Sequence, residues 1–281
     1  MEHVPCNNCD SPDYLVKYFS WNPQKSCLGF RETGNARGTQ QIVSCTQCGL
    51  EYVNPRPTND EILTLYSGAA EDVYLEGQKG RELTFRRCVD FIESFNPPGK
   101  RLLDVGAATG FFLKQAQRMG WEVQGVELNH YRSEWGRSNL GVPIFAGDLS
   151  KYARTSISGR YDIVTMWDMI EHSPNPTLEL CLARDLLNKD GLLVVNTPNA
   201  GSWMAKLFGK HWWFYIPQHL YYFTPKTLSD MLERAGYEVL SVTPYYPALP
   251  LGHLANMAAL YSPSISWATK ILFQTTGLAQ K

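Results

Sequence analysis

From Lys100 onward, short apolar runs alternate with stretches in which apolar residues recur every three or four positions. That rhythm predicts strands interleaved with helices, and so a mostly parallel sheet covered on both faces. The predicted strands are Arg101–Val105, Glu122–Glu127, Pro143–Gly147, Tyr161–Trp167, Leu192–Asn196 and Tyr237–Val242. Between them, Phe112, Leu113, Ala116 and Met119 define a helix stopped by Gly120, and Leu178, Cys181, Leu182 and Leu186 another closed by Gly191. Thr224-Pro225 opens a third, with Leu228, Met231, Leu232 and Ala235 on one face and Gly236 at its end.

Before Lys100 the pattern is different. Tyr14–Phe19 and Gln40–Ser44 read as short strands around a Gly-rich loop, Gly29–Gly38, and Leu50–Pro57 as a linker whose prolines end any strand. Thr58–Glu61 is a capping box for a short helix carrying Ile62, Leu65 and Tyr66. Phe85, Cys88, Val89, Ile92 and Phe95 give a longer helix, stopped by Asn96-Pro-Pro-Gly99. The expected divisions are a module at 1–57, helices at 58–99, an α/β domain at 100–245 with a lid insertion at 200–223, and an extension at 246–281.

Composition supports a packed core: 44% of the 281 residues are hydrophobic and 19% charged. A net charge of -1 and no local basic patch argue against a nucleic-acid partner. The start, Met1-Glu-His-Val-Pro-Cys6, is unlike a signal peptide, and no apolar run is long enough to span a bilayer. A cytoplasmic protein is expected, where disulfides are rare and cysteine spacing points elsewhere.

Cys6-Asn-Asn-Cys9 and Cys45-Thr-Gln-Cys48 are two such spacings. Each knuckle can bring both sulfurs to one tetrahedral ion, so the four predict a structural Zn2+ site, although the gap of about thirty-five residues exceeds the usual ribbon spacing. Four thiolates leave no position open for a substrate. Cys88 and Cys181 sit on apolar helix faces, and Cys27 is at most an alternative ligand.

Ligands of an open parallel sheet lie beyond the carboxyl ends of its strands. Here those ends carry Asp104 with the glycine turn Gly106–Gly110, then Glu127, Asp148, and Asp168 with Glu171 and His172. Gly106 allows a turn without a Cβ, and Gly110 is expected to leave room for a ligand against the backbone. Glu127, about twenty residues past the turn, is placed to accept from ribose hydroxyls. Asp104 would repel a pyrophosphate but suits a cationic cofactor with a free amino group; it could also simply hydrogen-bond the turn.

Leu102-Leu-Asp-Val-Gly-Ala-Ala-Thr-Gly110, Gly125-Val-Glu127, Gly147-Asp148, Asp162–His172, Asp190-Gly191 and Gln218–Phe223 together resemble the class I S-adenosylmethionine-dependent methyltransferases, including the ubiquinone-pathway O-methyltransferases. The resemblance covers Leu83 to Val242 and implies a Rossmann-like, seven-stranded α/β sheet with a small zinc-ribbon-like module in front of it. It implies that S-adenosyl-L-methionine meets Asp104, Gly106, Ala107 and Gly110 at its methionine part, Glu127 and Leu128 at the ribose, Asp148 and Leu149 at the adenine, and Trp167 and Asp168 at the methionine end. Ala108 replaces the commoner middle glycine. The N-terminal knuckles with Cys48–Pro57 resemble an appendage of methyltransferases from bacterial sugar and polysaccharide clusters.

A hydroxyl nucleophile needs a base, and histidine is the first candidate. His172 and then His219 are the expected catalytic bases; Glu171 either joins them or caps the following helix. The aromatic stretch Trp203–Ile216 is expected to form a lid over a small-molecule acceptor, to pack on the domain, or to touch a membrane interface, as could the apolar C-terminal extension. The expected reaction is methylation of a sugar-type hydroxyl; a lipid-quinone or polyketide-like acceptor, or cofactor binding without catalysis, are the alternatives.

Overall fold

The computed structural model describes residues 1–19, 40–68, 78–155 and 159–248. The second half of the molecule is built on five parallel strands: β4 (Arg101–Val105), β5 (Glu122–Glu127), β6 (Ile144–Ala146), β7 (Tyr161–Trp167) and β8 (Leu187–Asn196), in the order β6-β5-β4-β7-β8. The chain winds outward from β4 to β6, then returns to the other side for β7. This reversal beside β4 is where such a sheet opens a crevice for a ligand.

Alternation along β4 explains its burial. Leu103 and Val105 enter one apolar cluster and Leu102 the other, each essentially solvent-free. The second cluster is completed by α2 (Gln78–Glu93) through Cys88, Val89 and Ile92, and by α3 (Phe111–Arg118) through Phe112, Leu113 and Ala116. Of the expected apolar positions, Phe85, Phe95 and Met119 are only half-buried, and Phe85 packs edge-on to Phe112 at 5.6 Å.

A second sheet has the order β1-β2-β3-β9, from β1 (Tyr14–Tyr18), β2 (Ile42–Cys45), β3 (Glu51–Val53) and β9 (Tyr221–Tyr222), all antiparallel. One expectation changes here. Leu50–Pro57 is no linker: Glu51–Val53 is the strand that joins the two halves, Tyr52 and Val53 are buried, and the prolines only end it. The aromatic stretch after β8 folds as α7 (Trp203–Phe208), a 3-10 turn at Gly209–His211, and then β9. Trp212, Tyr215 and Tyr222 pack with Ile42 and Val53 of the N-terminal sheet, while Trp203 and Leu207 are exposed. One apolar cluster contains Cys6, Leu50 and Tyr52 from the N-terminal sheet together with Leu103, Val164 and Phe223, so a single core serves both halves.

Two further predictions fail locally. Gly191 does not close the helix before β8; α6 (Pro176–Leu186) ends directly into the strand. β8 pairs Leu187 with Tyr161, bulges through Asp190 (φ 63°), and resumes pairing at Leu192 with Ile163. Gly191 fills the bulge, since a Cβ there would meet Asn188 O at 3.0 Å and Asp162 O at 3.1 Å. Tyr237–Val242 is not a strand either. No strand among the described residues lies beside it, and Leu240 and Val242 face solvent. Five parallel strands, not the full seven, are therefore present in the described residues. Among them, no helix is long and apolar enough to cross a membrane. Cys27, Gly29–Gly38 and 249–281 lie outside the described residues.

Candidate functional site

The turn after β4 is shaped by its glycines, though not as the sequence suggested. Gly106 (φ 79°) and Gly110 (φ 79°) both take left-handed backbone. A Cβ on Gly110 would lie 2.7 Å from Val142 Cγ2 and 3.0 Å from Ile144 Cδ1, and one on Gly106 would lie 2.6 Å from Met169 Cγ. Protein side chains, not an open ligand space, fill the volume at Gly110. Gly106 N and Ala107 N donate to Val126 O at 2.8 and 3.0 Å, which pins the turn across the neighbouring strand.

Glu127 closes β5 against this turn. Its Oε2 accepts from Ala108 N at 2.8 Å and its Oε1 from Asn129 N at 2.7 Å. Burial raises its pKa despite those amides and the nearby Arg132. Each oxygen still has a lone pair to offer a ribose hydroxyl. Asp104 is 2% exposed, and Thr165 Oγ1 donates to its Oδ1 at 2.7 Å. Burial and then the charge of Glu127 push its carboxyl up to about 8, against the pull of Thr165. Near neutral pH that carboxyl is largely protonated, and a cation placed beside it would favour its ionised form.

The remaining positions expected to meet the cofactor sit at neighbouring strand ends. Asp148 caps α5 (Leu149–Ala153) by accepting from Lys151 N at 2.7 Å, and Leu149 is buried behind it. Leu128 is half-buried beyond β5. At the end of β7, Trp167 packs between Phe112 and Tyr245, at 5.2 and 6.1 Å. Asp168 takes left-handed backbone (φ 47°), accepts from Asn196 Nδ2 at 2.7 Å, and is raised to about 6 by burial.

The 3-10 turn Ile170–His172 holds Glu171 and His172, and the chain leading into β9 brings His219 back to them. The two imidazoles are 4.6 Å apart edge-to-face, and Glu171 Oε1 is 4.0 Å from His219 Nε2. Leu220 N donates to Glu171 O at 2.8 Å, so β9 positions one side of the cluster and the 3-10 turn the other. Glu171 does not cap α6; Asn175 does, accepting from Leu178 N at 3.1 Å. Thr197 Oγ1 donates to Glu171 Oε2 at 2.9 Å, whereas Oε1 is buried with no hydrogen-bond partner.

Burial governs the charges of this cluster. It raises Glu171 to about 8, helped by Asp168, and lowers His172 to about 4, with the Arg132 charge adding to the effect. His219 falls well below the ordinary imidazole range through burial and then the proximity of His172. Near neutral pH the cluster therefore holds two neutral imidazoles beside a largely protonated carboxyl. Sequence reasoning passed over three contributors. Tyr66, read as an apolar helix position on α1 (Asn59–Gly68), places its hydroxyl on His172 and on Gln218 O; Thr197 and the Gln218 carbonyl carry no sequence signal at all.

The four expected metal ligands also converge. Cys6 Sγ lies 3.4 Å from Cys48 Sγ and Cys9 Sγ 3.5 Å from Cys45 Sγ, with all four sulfurs within 4.8 Å of one another. Tetrahedral zinc with sulfur bonds of roughly 2.3 Å would set the sulfurs about 3.8 Å apart, so the four fit one ion. Each knuckle turns through a left-handed residue after its second cysteine, Asp10 (φ 57°) and Gly49 (φ 77°). Burial raises the Cys45 thiol, but the amides of Cys48 and Gln47 outweigh it and bring it down to about 7.

A family model described as "Methyltransferase domain" matches residues 79–242. Curated relatives include a ubiquinone biosynthesis O-methyltransferase of Cereibacter sphaeroides, 28% identical over 148 residues, or 49% of this chain and 60% of that protein. The protein of that name from Shewanella pealeana is 30% identical over 105 residues, 36% of this chain and 44% of its own. The chain thus spans less than two thirds of the length of these relatives. Among solved structures, a SAM-dependent methyltransferase from Archaeoglobus fulgidus is 26% identical, covering 60% of this chain and 75% of its own, with a TM-score of 0.49.

Proposed function

We propose, for a chain that belongs to the methyltransferase domain family, that it transfers a methyl group from S-adenosylmethionine to a hydroxyl of a small-molecule acceptor. One observation carries the cofactor: Asp104, buried with a raised carboxyl, and Glu127, fixed by two backbone amides, stand at adjacent strand ends beside the glycine turn. Asp104 would pair the amino group by way of the turn, and Glu127 would accept the ribose hydroxyls. Asp148 and Leu149 would flank the adenine, and Gly106, Ala107, Leu128, Trp167 and Asp168 would line the rest, with Gly110 packed against Val142 and Ile144 behind the turn.

When bound, the sulfonium supplies a methyl carbon already activated toward a nucleophile. The protein's own task is to orient the acceptor, exclude water and take a proton. His172 is the base in this reading, with His219 behind it and Glu171 available to share the proton. Zinc in the four-cysteine cluster is structural; it would brace β2 and β3, and through β9 the segment that carries His219.

The likeness of the N-terminal module to those of sugar-cluster enzymes supports a sugar-type hydroxyl, free or carried on a nucleotide or lipid. A phenol of a lipid-quinone type is the second reading. The names of the curated relatives favour it, as does the low basicity of His172, which suits an acidic hydroxyl. Incubation with cofactor labelled in its methyl group, across sugar-nucleotide, lipid-linked sugar and catechol acceptors, separates the two. Label in the sugar pool supports the first reading and label in the catechol pool the second. Cofactor binding with label in neither would return the protein to a binding role. In His172→Ala, turnover should fall at least about a hundredfold with cofactor affinity kept.

A further inference from the structure

Among the described residues, Tyr66 reaches the His172 cluster from the N-terminal half of the chain. It stands on α1, immediately after the N-terminal sheet. Its hydroxyl donates to Gln218 O at 2.7 Å, and the same carbonyl oxygen lies 2.8 Å from His172 Nδ1. The hydroxyl also touches His172 Nδ1, and the two rings meet edge-on with centroids 5.6 Å apart. Three polar atoms thus crowd together, and the placing of their protons decides the tautomer of His172.

Were Tyr66 to give its proton to Nδ1, that nitrogen would face the Gln218 carbonyl oxygen at 2.8 Å with no proton between two acceptors. A carbonyl oxygen has two lone pairs and can accept from both neighbours at once. The arrangements without a clash of lone pairs therefore have the phenol donating to Gln218 O and Nδ1–H directed at Gln218 O, at Tyr66 Oη, or between the two. His172 is then the Nδ1–H tautomer, and its free lone pair is on Nε2.

The backbone of Tyr66 reaches the other end of the site. Its carbonyl accepts from Asn129 Nδ2 at 3.2 Å, and Asn129 N donates to Glu127 Oε1 at 2.7 Å. Asn129 also caps α4 (His130–Trp135), accepting from Arg132 N at 3.0 Å. One residue therefore ties the ribose-side carboxylate to the histidine.

We propose that Tyr66 is a positioning residue: by donating to Gln218 O it anchors the carbonyl that holds His172 in the Nδ1–H tautomer with Nε2 toward the acceptor hydroxyl, and its own carbonyl links that ring through Asn129 to the carboxylate that receives the cofactor. The proposal rests on the reading of His172 as the base. In that role Nε2 takes the hydroxyl proton, and the resulting imidazolium keeps its other N–H on Gln218 O.

The test compares the metal-loaded wild-type chain with Tyr66→Phe, which removes the hydroxyl and keeps the ring. With nitrogen-15 in the histidines, and His172→Ala to assign the signal, wild type should show a single His172 tautomer protonated at Nδ1. Tyr66→Phe should show nitrogens averaged between tautomers, with kcat down about tenfold and the cofactor Kd within twofold. Identical imidazole signals in the two proteins would overturn the proposal, as would a wild-type ring protonated at Nε2. Full turnover by His172→Ala would instead remove the base reading, and the comparison of tautomers would still decide what Tyr66 does.

Discussion

Ala108 occupies left-handed backbone (φ 46°), a conformation that costs an L-residue with a Cβ roughly 1–2 kcal/mol. Glu127 holds it there by accepting from its amide. Ala108→Gly should therefore raise stability, by up to about 1 kcal/mol after the added chain entropy of glycine, as read by urea unfolding. Asp104 supplies a second residue-scale prediction. Its folded pKa is raised to about 8, so the folded state holds a proton that the unfolded chain releases near pH 4. Stability from this group is present at low pH and is lost as pH rises toward 8. His172, lowered to about 4, acts oppositely, losing stability as pH falls from about 6.5 to 4. Between pH 6.5 and 8 the raised Asp104 and Glu171 carboxyls lower stability as pH rises, against the single Cys45 thiol brought down to about 7, so the melting temperature of the cofactor-free protein should fall across that window. Asp104→Asn should flatten the slope; an unchanged slope would contradict the raised carboxyl. Residue types and spacings singled out Asp104, Glu127 and His172 as candidates. They could not reveal Gln218, whose contribution is a main-chain carbonyl, or Tyr66, whose helical spacing marked it as apolar.

The joints between elements hold the acceptor end together. Arg56, buried just after β3, donates to Tyr221 Oη at 3.0 Å, Pro174 O at 2.9 Å and Asn59 Oδ1 at 3.0 Å. It thereby fastens β9, the loop after His172 and the start of α1 to one guanidinium. Arg56→Ala should cost about 3 kcal/mol, because it strips charge-assisted bonds and leaves buried acceptors unpaired. A loss below 0.5 kcal/mol in chemical unfolding would show that the joint bears little. Elements such as α3 and β4 were readable because α3 buries one face at helical spacing and β4 is an apolar run buried on both faces. The bulge in β8 was not, because Gly191 has the same local look as a helix stop and only cross-strand pairing with β7 distinguishes them.

The N-terminal module and the parallel sheet form one structure through β3 and β9. That union escaped the sequence, since β9 has only two residues and its partner lies far back along the chain. Metal removal should therefore be felt at the acceptor end. Cys45→Ser should lose the zinc, lower the melting temperature by several degrees and reduce kcat, while the cofactor Kd changes less than threefold. Full zinc content in that variant, by atomic absorption, would contradict the site. The parallel sheet itself carries the central claim, that its strand ends bind S-adenosylmethionine through Asp104 and Glu127. Calorimetric titration of wild type and Glu127→Ala with that cofactor tests it most directly. One site per chain, weakened at least about tenfold in the variant, is the predicted result; no binding by the wild type, or equal affinity in the two, would contradict it.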